Sequence, residues 1–155
     1  MKINKLNRQL EELATKISQH NNICPDVSKS NVGWHIEHIL LSSNTIIEAV
    51  KESNPANYKW SFNLLRTLIF ATKTIPRGRA KSPKVVTPKI YDEKTLVEHL
   101  ELTKSKIQEL EIIDSKKYFN HPVFGHLKLS KTIKFFEIHT NHHLKIINDI
   151  LINMT

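Results

Sequence analysis

Apolar residues recur along this chain at steps of three and four, and four long stretches carry that helical spacing. Ile3, Leu6, Leu10, Leu13 and Ile17 predict a first helix over about residues 3–20, with Lys, Arg, Gln and Glu on its solvated face. Asp26, Ser28 and Ser30 offer helix-start chemistry for a second helix from Val32 to Glu52, whose inward stripe is Ile36, Ile39, Ser43, Ile46, Ile47 and Val50. Ser53-Asn54-Pro55 ends it. The segment Trp60–Thr72 is shorter and apolar around most of its circumference, which predicts burial between neighbours or under a loop. Residues 75–89 hold three prolines and five basic residues, so they read as an extended crossover wrapping the bundle. Asp92 caps a third long helix, carried by Leu96, Val97, Leu100, Thr103, Ile107 and Leu110 to about Ile113. The connection Asp114–Lys128 contains Phe119, Val123 and Phe124 to plug the end of a bundle, and Gly125 for a tight turn. A last helix spans Ser130–Asn153 without Gly or Pro.

Composition agrees with this pattern and narrows it. A chain of 155 residues with three glycines reads as one domain, residues 1–155, of the all-α class. The single cysteine, Cys24, excludes an internal disulfide and a cysteine-based zinc site. The N-terminal stretch has no signal-like apolar core and no segment approaches a membrane span, so a cytoplasmic, non-membrane protein is expected. A formal charge of +8 raises nucleic acid as a partner, with residues 77–89 as the arm that would grip phosphates. The plainer reading of that arm is a structural crossover, and nucleic acid is not the favoured partner. P-loop and dinucleotide glycine patterns are absent.

The chemistry-bearing residues are histidines, nine in all. His139 and His143, four apart, point from successive turns of the last helix into one apolar stripe with Leu129, Thr132, Phe136, Ile147 and Ile150. At that spacing both can reach one ion at about 2.0–2.1 Å; an imidazole on such a face can equally be a core residue with satisfied nitrogens. His142 lies about 100° off the stripe, a flanking or supporting residue. Two histidines compete for the facing role on the second helix. His35 lies about 70° and His38 about 130° from the middle of the inward stripe, so periodicity alone prefers His35. His99 falls between stripe and surface and carries no assigned role. His121 and His126 lie close enough to the last helix to approach a site there without being expected as ligands.

Ser30-Asn-Val-Gly-Trp-His-Ile-Glu-His-Ile39, the loop His121-Pro-Val-Phe-Gly-His-Leu127 and the run His139-Thr-Asn-His-His-Leu144 together resemble the DinB/YfiT-like superfamily. The resemblance covers nearly the whole chain and implies an up-down-down-up four-helix bundle, with an additional short helix and a long crossover between helices two and three. It implies a divalent metal, zinc or nickel, held by one histidine of helix two and the pair His139 and His143. His38, which precedes Ile39-Leu40-Leu41-Ser42, matches the helix-two position, against the preference of periodicity for His35. The implied activity is a thiol- or water-activating metal site acting on a small molecule, with a low-molecular-weight thiol as partner and homodimerisation as a further expectation. Glu37, Glu137 and Asn141 are the nearest groups that could orient the rings. The competing expectations are a stress-related bundle without catalysis and a basic nucleic-acid-binding module.

Overall fold

A computed structural model describes residues 3–78 and 82–154. Five helices dominate: α1 (Asn4–Ala14), α2 (Val32–Glu52), α3 (Leu64–Thr72), α4 (Glu93–Glu109) and α5 (Leu129–Ile152). Two short strands, β1 (Tyr118–His121) and β2 (Gly125–Lys128), form an antiparallel hairpin before α5. The chain is therefore mostly helical but carries a small sheet where a loop was expected.

Contacts between side chains fix the helix directions. Gln9 donates to the Glu137 carbonyl and Asn148 to the Glu12 carboxylate, so α1 and α5 run parallel. His35 meets His143 and His38 meets His139, so α2 runs against α5. Glu37 meets His99 and Lys51 meets Glu109, so α4 runs with α2. The order is up-down-down-up. Between the four long helices lie fully buried Leu6, Leu10, Ile36, Ile39, Leu100 and Phe136, residues the periodicity placed inside.

Helix ends follow local chemistry. Asn31 caps α2 by accepting from the Trp34 N–H at 2.9 Å, and the same oxygen accepts the Tyr91 hydroxyl at 2.7 Å, tying α2 to the approach of α4. Asp92 and Thr95 form a reciprocal capping box at α4. The first helix stops at Ala14, short of the expected residue 20. The Thr15 hydroxyl donates to the Glu12 carbonyl, and a 3₁₀ turn at Ile17–Gln19 keeps Ile17 buried while tightening the backbone. The α4 helix ends at Glu109 rather than near Ile113, and Ile112 is exposed. In the hairpin, Tyr118 faces Lys128 and His121 faces Gly125, whose φ of 71° is the left-handed geometry that favours glycine. Of the plug expected from the sequence, Phe124 is buried in the core and Phe119 packs against it, whereas Val123 is exposed and Leu127 fills the core instead.

The α3 helix departs furthest from expectation. Of its apolar residues only Ile69 is buried; Leu64, Leu65 and Leu68 face solvent, as do Trp60 and Phe62 before it. Nine residues laid on the outside of α5 have one inward line, and the remaining apolar circumference has no layer above it among the described residues. The crossover does wrap the bundle: a 3₁₀ turn at Lys84–Val86 seats Val86 in a buried position against α2. Of the basic arm, Arg79 and Lys81 lie outside the described residues, and Arg77 is paired with Asp149 at 2.7 Å. No helix of the described residues is long and apolar enough to cross a membrane.

Candidate metal centre

Antiparallel packing of α2 on α5 turns two short spacings into a ladder. His35 and His38 are about one turn apart, as are His139 and His143, and the rungs match in opposite order. His35 Nδ1 lies 2.9 Å from His143 Nδ1, and His38 Nε2 lies 3.2 Å from His139 Nε2. The rings of His38, His139 and His143 also converge diagonally, with centroids 4.7–5.1 Å apart. Each of these three offers a nitrogen, and all three nitrogens lie within 4.8 Å of one another. They are close enough to hold a metal ion. His38, selected by its place in the sequence motif, is the helix-two member of this trio.

His35 belongs to the same site in a different role. Its ring is buried, as periodicity required, and bridges His143 on one side to the Ser28 hydroxyl at 3.0 Å on the other. Ser28 Oγ in turn accepts the Ser30 N–H at 3.1 Å. Two proton assignments satisfy this chain, because the Ser28 hydroxyl can accept or donate. In one of them His143 Nδ1–H donates to His35 Nδ1 and His35 Nε2–H to Ser28, which leaves His143 Nε2 with a free lone pair. His38 is set by an acceptor-only carbonyl. Its Nδ1 donates to the Val86 carbonyl at 2.8 Å, so Nε2 presents its lone pair to His139. The His38 ring lies stacked on Trp34, 5.1 Å between centroids, and that of His139 is stacked on Phe135 at 5.4 Å. Both rings are thereby held in plane.

Burial sets the charge state. Desolvation lowers the His35 pKa to about 4, helped by His38, His142 and Arg77. Burial likewise lowers His38, and holds His139 and His143 well below the ordinary imidazole value, with neighbouring imidazoles adding to the effect. The cluster is neutral at pH 7, the form in which imidazole ligates. No carboxylate hydrogen-bonds to it among the described residues.

The remaining candidates divide plainly. His142 lies beside the trio, its ring 5.0 Å from that of His143, and its pKa is lowered by burial and by Arg77. It is a flank, as its angle on the helix predicted. Glu37 turns away to α4, and Glu137 to Lys134 and Lys5. The ring-orienting groups are instead a crossover carbonyl and a serine, which carry no signature in sequence. His99, given no role from sequence, is held on both ring nitrogens: Nδ1 lies 3.0 Å from both Glu37 oxygens and Nε2 lies 2.7 Å from the Asn44 amide. A signal for it existed. Glu37 and Asn44 are seven apart, a polar line along one side of an otherwise apolar helix. His121 accepts the N–H groups of Val123 and Phe124 at Nδ1 and packs its ring against Phe124 and Phe135, which gives it a structural place behind His139. Comparison of the chain with family profiles, with curated proteins and with solved structures found no match.

Proposed function

We propose that the chain is a metal-dependent enzyme of the DinB/YfiT-like kind, holding one divalent ion, zinc or nickel, on His38, His139 and His143. The observation that carries this reading is the convergence of three neutral imidazole nitrogens on one point without a counter-charge. Three protein nitrogens suit a catalytic rather than a closed structural site, since the ion retains open positions. When bound, such an ion lowers the pKa of a coordinated water or thiol toward neutrality and so supplies a nucleophile. The chain itself supplies orientation. Val86 fixes the His38 tautomer, Ser28 and His35 hold the His143 ring by hydrogen bonds, and Trp34 and Phe135 hold the rings from the side. The helical directions agree with the bundle that the sequence resemblance implies. Transfer of a low-molecular-weight thiol to a small electrophile, or hydrolysis of one, is the reaction class.

Metal analysis of protein purified without a histidine tag tests the reading. About one zinc or nickel per chain, lost in His139→Ala with the helical content retained, is the expected result. A wild-type chain that stays metal-free after incubation with either ion would sink it, and would leave the four imidazoles as hydrogen-bonded pairs in a non-catalytic bundle.

A further inference from the structure

On the other side of the hairpin, a groove of about 740 Å³ runs between the segment before α3, strand β2 and the first turn of α5. One bank is the extended stretch Tyr58–Phe62, in which Tyr58, Trp60 and Phe62 alternate toward the groove while Lys59 and Ser61 do not line it. Tyr58 is occupied: the Lys128 ammonium lies over its ring, 4.8 Å from the centroid. Trp60 and Phe62 are free, 72% and 69% exposed. The opposite bank carries Lys128 and Lys131, the latter with its ammonium 5.8 Å from the Phe70 ring. No Asp or Glu lines the groove, and neither lysine reaches a carboxylate among the described residues.

The site is held in shape. The Arg66 guanidinium donates to the carbonyls of Ser61 and Phe124, pinning the aromatic bank to the hairpin and leaving its positive charge in the wall. His126 accepts the Lys59 N–H at Nδ1, so its Nε2 carries a proton and is a donor in the groove lining.

We propose that this groove binds a short stretch of single-stranded nucleic acid, with two successive bases on Trp60 and Phe62, and the phosphate that joins them and a flanking one on Lys128 and Lys131. Side chains two apart on an extended backbone stand about 6.6 Å from each other. That is about twice the roughly 3.4 Å rise of a duplex strand, so the bases it matches are unstacked and free to lie on aromatic rings. The two cations then meet what the groove lacks, negative charge. A bilayer surface is flat and cannot reach lysines set on the far bank of a concavity. A second copy would bring a chain of formal charge +8 against those lysines, with no carboxylate in the groove to receive them.

Fluorescence anisotropy with labelled hexathymidylate and hexauridylate, on the full chain at low salt, tests the assignment. Binding is expected to weaken about tenfold or more in Trp60→Ala. The logarithm of affinity is expected to fall by about 1.4 per decade of salt for two phosphates, and by about 0.7 in Lys131→Gln. His139→Ala is expected to bind the strand as the wild type does, which separates this site from the metal centre. The proposal is overturned by absence of binding at low salt, by equal or tighter binding of a blunt duplex of the same length, or by a Trp60→Ala effect no larger than that of the control Lys94→Ala. It is also overturned if Trp60→Ala instead abolishes binding to phosphatidylserine vesicles, or splits a wild-type dimer in sedimentation. The substituted side chains are exposed, and circular dichroism checks that each variant keeps its helices.

Discussion

Helix α2 offers polar groups to two neighbours, and the two sides behave differently. Toward α4, His99 is saturated: one ring nitrogen donates to the Glu37 carboxylate and the other accepts from the Asn44 amide. Toward α5, rings meet rings. Nitrogen faces nitrogen at 2.9 Å and at 3.2 Å, and such a contact needs a proton or a cation between the two atoms. The same residue type is thus a helix clamp on one face and a candidate ligand on the other. What differs is the facing atom: a carboxylate satisfies the imidazole, whereas a second lone pair leaves a place for an ion.

Paired variants would break this contrast most sharply. His38→Ala is expected to abolish binding of zinc or nickel, read by metal analysis, while His99→Ala retains about one ion per chain. A reversed outcome would exchange the roles of the two faces. Next in size, Glu37→Ala strands the ring donor of half-buried His99 and is expected to cost about 2 kcal/mol in urea unfolding, with metal content unchanged. His35→Phe keeps apolar volume near His143 but removes its hydrogen-bond partner; metal affinity is expected to fall about 10–100-fold in competition with a chelating dye, and the stranded His143 nitrogen is expected to cost about 1–2 kcal/mol in urea unfolding of the metal-free protein.

The most gradual effect is the pH dependence of the metal-free protein. His35 and His121 have folded pKa values lowered to about 4, below the ordinary 6.5 of an unfolded chain. Between these values the unfolded state binds protons that the folded state does not. Stability is therefore full above about pH 6.5 and falls as pH drops toward 4, by at most about 1.4 kcal/mol per pH unit for each such ring. Urea midpoints at pH 7, 6 and 5 check the sign, and His121→Phe should flatten the fall. A midpoint that rises on acidification would contradict the burial of these rings as neutral groups.

Much of the frame was legible from residue spacing. The α2 helix runs Val32–Glu52 as its stripe required, α5 is displaced by one residue at each end, and Asp92 caps α4. Those elements are long and strongly periodic, so their inward faces are dictated by the apolar pattern alone. The hairpin was not legible, because four-residue strands gain their backbone partners from each other and not from a local period. The exposure of α3 was not legible either. An all-round apolar helix reads as buried, and only its placement outside α5 shows that nothing among the described residues covers Leu64, Leu65 and Leu68.

By itself the sequence determined that the four long helices form, which stripe of those helices turns inward, and that His139 and His143 share one face. It also held both answers on helix two, His35 by its angle and His38 by its motif. Only the tertiary structure decided that both are used. The antiparallel register of α2 on α5 sends His38 to His139 and His35 to His143, and the crossover brings Val86 over His38. Periodicity describes a helix about its own axis. Which atom stands across the gap depends on the direction and offset of the partner helix, and that offset is settled by packing of the whole core.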